Sequence, residues 1–190
     1  MSKEKKELPL LGCLRLLEPG PIVLVTAQFR GQANILTAAW VTPASHRPPL
    51  VAVAISPTTY THYLISKSQE FVLNLPGRPL AEQVLQCGRL SGRDVDKFAK
   101  LGLTAIDGRR VTVPWVEQCL AHMECGLVQI HEAGDHSLFL GEVIGAWADE
   151  EAFNERWLLP NEELTPLQHL GGRTFALLGG QFEVKEREEA

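Results

Sequence analysis

Apolar positions along this chain fall in short runs broken by Pro and Gly, not in long stripes of helical period. Val, Ile, Leu and Thr concentrate in residues 22–27, 35–42, 50–56, 71–75, 123–131 and 137–147. Runs of this length and composition predict six strands. With few long helical patterns between them, they favour a closed or nearly closed antiparallel barrel. Phe29-Arg30-Gly31-Gln32 reads as a hairpin turn, with Gly where a positive φ is needed. The helical signals are local. Residues 61–68 follow Pro57-Thr58-Thr59, whose hydroxyls are capping candidates, and carry Tyr63, Leu64 and Ile65 as the expected buried face. Residues 79–88 open on Pro and close on Gly, the usual asymmetry of a helix. A third short helix is expected over 94–101. The stretch 149–164 has six acids against Arg156 alone and reads as a surface excursion.

Composition narrows the class. The chain has 190 residues, of which 45% are apolar, enough for one large domain with a real core. The charged ends leave a core of about 19–178. The longest clear apolar run, 50–55, is far below the roughly 18 residues of a membrane helix, so no membrane association is expected. Eighteen Lys and Arg against 23 Asp and Glu give a net charge of −5, with the basic residues scattered, which argues against general nucleic-acid binding. Cys13, Cys87, Cys119 and Cys125 show no C-x-x-C spacing and read as reduced thiols. Leu10-Leu11-Gly12-Cys13 resembles a lipobox behind Lys3, Lys5 and Lys6. However, Glu4, Glu7 and Arg15 leave too short an apolar stretch for export, so a cytoplasmic location is expected.

Standard catalytic motifs are absent. There is no phosphate-binding G-x-x-x-x-G-K-[ST], no G-x-G-x-x-G after a strand, no H-E-x-x-H and no G-x-S-x-G. His122, Cys125, His131 and His136 could be drawn together as a metal site on paper. Their spacing matches no ligand module, and Cys125 reads as a core residue.

Four blocks mix small residues, hydroxyls and charge in ways that core packing does not require: Asn34-Ile35-Leu36-Thr37-Ala38-Ala39-Trp40, Ser45-His46-Arg47-Pro48-Pro49, Ser91-Gly92-Arg93-Asp94-Val95-Asp96-Lys97-Phe98 and Gly134-Asp135-His136-Ser137 continuing to Val143. In this order, with Phe71-Val72-Leu73-Asn74 and Glu124-Cys125, they resemble the flavin reductase-like family of FMN-binding split barrels, and within it the flavoredoxin-like branch. The resemblance runs from about Pro19 to about Leu178. It implies a mainly β fold with short α-helices, an antiparallel Greek-key split β-barrel. It also implies one FMN per protomer and a homodimer with the flavin near the interface. NADH or NADPH would be the hydride donor, or a protein would supply electrons, with a small molecule or a protein as acceptor. A non-catalytic flavin-binding module is the alternative.

FMN needs a flat or apolar wall, polar groups near its ring edge, and hydroxyls or cations for its phosphate. Asn34, Thr37, Ala38, Ala39 and Trp40 can supply the first two. Small residues let the ring approach the backbone, and Trp40 offers a flank. Ser45, Arg47, Ser56, Thr61 and His62 are candidates for the phosphate, with Thr61 near a helix N-terminus. Thr58, Thr59 and Thr61 read equally well as helix caps. By the resemblance, Lys97 lies near the electron-accepting edge of the ring, where a cation stabilises developing negative charge; otherwise it is a surface cation beside Asp94 and Asp96. By the same resemblance His136 faces the ring as the candidate catalytic residue. His169, near Gly171-Gly172, belongs to a C-terminal segment expected to cover the flavin.

Overall fold

The computed structural model describes residues 7–184. The charged residues at the two extreme ends, including Lys3, Lys5 and Lys6, lie outside them. Seven strands form one antiparallel sheet: β1 (Val23–Phe29), β2 (Gln32–Ala38), β3 (Val41–His46), β4 (Pro49–Ile55), β5 (Glu70–Leu75), β6 (Ala121–Ala133) and β7 (His136–Ala148). Their order across the sheet is β2-β1-β5-β6-β7-β4-β3. The first and last strands in that order are consecutive in sequence, joined only by Ala39 and Trp40. Seven strands laid flat span about 29 Å, whereas this connection reaches about 11 Å. The sheet therefore has to coil upon itself. Ala54 N, on β4, donates to Trp40 O at 3.0 Å and fixes the connection against that strand. The result is the mainly β, antiparallel barrel with short α-helices that the sequence led one to expect.

The sequence pattern predicted one strand over 35–42 where the chain makes two. β2 stops at Ala38 and β3 starts at Val41, so the break at Ala39-Trp40 divides a continuous apolar run. β3 was not expected, because Val41-Thr42-Pro43-Ala44-Ser45-His46 carries little apolar character and is mostly exposed. That is the composition of an edge strand, with Pro tolerated there. The β1–β2 turn has Arg30 at φ 50° and Gly31 at φ 77°, the two left-handed residues of a tight hairpin.

Side chains inside the barrel alternate with those outside. Val23, Val25, Val53, Ile55, Phe71 and Leu73 form the interior with Cys125 and Phe139. It is closed by helix α1 (Tyr60–Ser68), which inserts Leu64 and Ile65. Tyr63 was expected on this buried face but is 44% exposed. Thr61, Leu64 and Ile65 share one face at spacings of three and four, whereas Tyr63 points to nearly the opposite side of the helix and stacks on Tyr60. Helix α2 (Ala81–Arg89) follows a 3-10 turn over Arg78–Leu80, and α3 (Lys97–Leu101) is capped by Asp96. These two cover the outer face of β1 and β2, burying Leu24, Ile35, Val84, Cys87 and Phe98. The helix expected from Asp94 thus begins three residues later, because Ser91 to Asp94 forms a turn and the Asp96 carboxylate accepts from Ala99 N.

A C-terminal hairpin, β8 (Leu167–Gly171) and β9 (Thr174–Leu177), pairs with Gly20–Pro21 at the end of the barrel beside β2. The acidic stretch 149–164 is mostly exposed and holds a two-residue pairing of Phe153–Asn154 with Arg156–Trp157, anchored by the buried Ala152. No helix among the described residues is long and apolar enough to cross a membrane.

Candidate functional site

β2 is the spine of the site. Three clefts open around it and share its residues as walls. The first, about 300 Å³, is lined by Leu36, Thr37, Ala38, Ala39, Trp40, Ser56, Thr59 and His136, with Glu18 at its rim. The second, about 190 Å³, is lined by Asn34, Leu36, Thr58, Thr59, Tyr60, Thr61, Arg93 and Lys97, among others. Leu36 and Thr59 border both, so the two form one continuous groove. The third lies toward α2 and the β8–β9 hairpin, sharing Thr37 and Ala39 with the first and Gly88 and Arg89 with the second.

The second cleft is built to receive an anion. Thr59 caps α1, its Oγ1 accepting from His62 N at 3.3 Å and donating to Ser56 O at 2.9 Å. This sets the positive end of a nine-residue helix at the cleft wall. Arg93 donates to Thr58 O at 3.0 Å and lies over the Tyr60 ring. Lys97 is 3% exposed, so it is not the surface cation that its acidic neighbours suggested. Its Nζ donates to Ile35 O and Cys87 O, both at 2.7 Å. An ammonium has three donors, which leaves one for a molecule in the cleft. Burial lowers the Lys97 pKa, and the same burial pushes the Cys87 thiol up to about 11 despite the neighbouring ammonium. Asn34 is 3% exposed; its Nδ2 donates to Thr61 Oγ1 at 2.8 Å while its Oδ1 has no partner among the described residues. Gly92 packs against that amide so closely that a Cβ there would stand 2.1 Å from Oδ1.

The first cleft is flatter and less polar. Trp40 is 43% exposed at its mouth, and its ring lies 4.9 Å from that of His136, centre to centre. The two-residue turn Gly134-Asp135 places His136 at the start of β7, where its Nδ1 lies 2.7 Å from Asp135 Oδ1. This hydrogen bond holds the exposed Asp135 carboxyl below its usual pKa. Nε2 is then the ring nitrogen left for a ligand.

Asn34, Thr37, Ala38, Ala39, Trp40, Ser56, Thr61, Lys97 and His136 are therefore gathered along one groove, although Thr37 spends its hydroxyl proton on Val84 O at 2.5 Å. Four candidates stand elsewhere. Ser45 and Arg47 lie at the β3–β4 turn and line none of these clefts. His62 turns into the barrel, with its Nε2 3.0 Å from Ser137 Oγ and its ring edge-on to Phe139; burial lowers its pKa. His169 opens on the third cleft. Residues that the sequence reading passed over are Glu18, Tyr60 and Arg89. Arg89 looks like an ordinary basic residue at a helix C-terminus, and Glu18 like a solvated acid before Pro19.

Residues 15–177 match the model of the flavin reductase like domain. The chain belongs to the flavin reductase-like family. An uncharacterized protein of Escherichia coli, YddH, is 38% identical over 170 residues, covering 87% of this chain and 90% of its own. Among solved structures, an FMN-binding protein from Thermus thermophilus with bound p-hydroxybenzaldehyde superposes with a TM-score of 0.81 at 28% identity, covering 97% of this chain and 100% of the other. The flavoredoxin of Desulfovibrio vulgaris (Miyazaki F) superposes at 0.79, also at 28% identity, with 97% of each chain covered. Family membership carries the coarse statement that the fold serves flavin-linked oxidoreductase proteins.

Proposed function

We propose that this protein is an FMN-binding oxidoreductase of the flavin reductase or flavoredoxin type, holding the phosphate in the Lys97 cleft and the ring in the Trp40 cleft. The observation that carries the reading is the continuity of the two clefts through Leu36 and Thr59. One compartment offers hydroxyls, a helix N-terminus and cations, and the other offers a flat aromatic flank and small residues. An elongated molecule with a dianion at one end and a planar ring at the other fits that pairing. The spare Lys97 donor suits the phosphate, and the unpartnered Asn34 Oδ1, an acceptor, suits a hydroxyl of the chain that joins phosphate to ring.

FMN, when bound, supplies a ring that accepts a hydride from NADH or NADPH, or electrons from a protein donor, and passes them to an acceptor. The work of the protein is positioning. Lys97 and Arg93 fix the anionic end. Ala38 and Ala39 let the ring lie close to β2, and Trp40 covers one flank. His136, braced by Asp135, presents Nε2 to the same cleft, where it can hold a proton near the reacting edge. Hydride transfer asks chiefly for a near-attack geometry and needs no nucleophile, in keeping with the missing hydrolase motifs. Trp40 is exposed at the mouth of this cleft, and the leucines shortly before Glu18, which lines it, are exposed as well, which supports a homodimer whose second copy closes it.

The test is the visible absorption spectrum of the purified protein, followed by anaerobic NADH and then NADPH. Flavin absorbance that either nucleotide bleaches identifies a reductase and its donor. Bleaching by dithionite alone identifies the electron-carrier form, served by a protein partner. A colourless protein that takes up no FMN on titration overturns the reading.

A further inference from the structure

The third cleft has a chemistry of its own. It encloses about 460 Å³ between α2 and the C-terminal hairpin. His169 and Phe175 are direct cross-strand partners in β8 and β9, so their rings project from the same face of the hairpin, 5.8 Å apart between centres. Opposite them α2 presents Val84 and Leu85. The result is an apolar slot with aromatic rings on one side and aliphatic groups on the other.

Its polar groups are all suited to an anion. Arg173 in the hairpin turn and Arg89 at the end of α2 line the cleft, Arg89 standing also on the wall of the Lys97 cleft, and neither guanidinium makes a hydrogen bond or ion pair among the described residues. His169 Nδ1 is buried and has no partner there either. As an N–H it is a donor without an acceptor, a state that buried ring nitrogens rarely keep. In a chain of net charge −5, two free cations and an orphaned imidazole nitrogen in one apolar slot form a local exception. Glu18, whose carboxylate lies against Gly171, lines the neighbouring Trp40 cleft and not this one.

We propose that this slot is a binding site for an aromatic carboxylate, with the ring between Phe175 and α2 and the carboxylate on Arg173, Arg89 and His169. The walls favour a planar apolar body, and a guanidinium matches a carboxylate with two parallel hydrogen bonds. Thr37 and Ala39 border both this slot and the Trp40 cleft, so the bound acid lies beside the position assigned to the flavin ring. Its relevance to redox chemistry rests on the flavin reading, while its occupancy does not.

Calorimetric titration with 2-naphthoate and its neutral isostere 2-naphthamide tests the site on the full chain, before and after saturation with FMN. The acid is expected to bind about tenfold more tightly than the amide in both states. Arg173→Ala should weaken the acid about three- to fivefold while leaving the amide unchanged, and His169→Leu should reduce the same preference. Arg173 is exposed, and thermal unfolding of its variant should match that of the unsubstituted protein. Equal affinity for acid and amide overturns the proposal, as does an Arg173→Ala variant that binds both as before. Displacement of 2-naphthoate by FMN also overturns it, since the acid would then occupy the flavin groove. Failure to take up FMN, with acid binding intact, would overturn the flavin reading alone.

Discussion

Lys97 and Asn34 show how a polar residue in an apolar setting acquires a task. Burying an ammonium is costly unless every donor is met, and β2 and α2 meet two of the three through the carbonyls of Ile35 and Cys87. Lys97→Met keeps most of the stem and removes the charge. It should weaken FMN binding at least about tenfold, the loss expected for one hydrogen bond to a charged group, while far-UV circular dichroism stays unchanged. Unaltered FMN affinity would remove Lys97 from the phosphate site. His136→Ala makes the complementary case, with slower bleaching by the electron donor and affinity little changed, read by stopped-flow absorbance. Both residues were legible in the sequence because each sits in a block whose polarity packing does not require. Arg89 and Arg173 were not legible, because their meaning comes from facing one another across a slot between elements some eighty residues apart. His62 misled for the converse reason, since proximity to the helix N-terminus says nothing about which way a ring turns.

Among the elements, the loop joining α3 to β6 carries the clearest energetic consequence. Glu124 on β6 is fully buried and accepts from the backbone N–H groups of Arg109 and Arg110 at 2.6 and 2.7 Å and from Trp115 Nε1 at 2.7 Å. The Arg109 guanidinium lies 5.2 Å from the rings of both Trp115 and Trp147. His122, two residues before Glu124, stacks on Trp115 at 4.4 Å and lies with its Nδ1 2.9 Å from Asn74 Oδ1. That oxygen also accepts from Val116 N, so it is an acceptor and His122 Nδ1 carries the proton. Burial, and after it the Arg109 charge, lowers the His122 pKa to about 4, against the opposing pull of Glu124. In the unfolded chain the ordinary value of about 6.5 returns, so between pH 6.5 and 4 the unfolded state binds the extra proton. Stability is therefore lost as pH falls through that window, by about 3 kcal/mol from this residue, and no further below it. Urea unfolding at pH 7 and pH 4.5 should show His122→Gln losing less stability than the unsubstituted protein; an equal loss would assign the acid sensitivity elsewhere. The strand bearing these residues was legible as one of the short apolar runs. The loop that completes the network was not, since its Gly, Arg and Val residues show no period.

At the scale of the molecule, the barrel closes by the two residues Ala39 and Trp40, and that closure leaves Trp40 at the rim with one face open. Six strands and their antiparallel arrangement followed from the short apolar runs between Pro and Gly, but the closing edge strand β3 did not, because an exposed edge carries no such run. The same rim carries the sequence just before Glu18. Leu14, Leu16 and Leu17 are 50%, 69% and 85% exposed there, a concentration of apolar surface that a chain alone in water does not favour. A second copy seated on this rim would bury those leucines and shut the ring compartment against water, which strengthens every polar contact inside it. Leu16→Glu combined with Leu17→Glu places two charges on that surface without touching a cleft residue. Sedimentation velocity should show the unsubstituted protein as a dimer and the double variant as a monomer. If the second copy closes the groove, FMN affinity should fall together with the dimer and recover at protein concentrations that restore it. A double variant that remains dimeric would place the interface on another face. A monomer that binds FMN as tightly as the dimer would show that one chain completes the groove by itself.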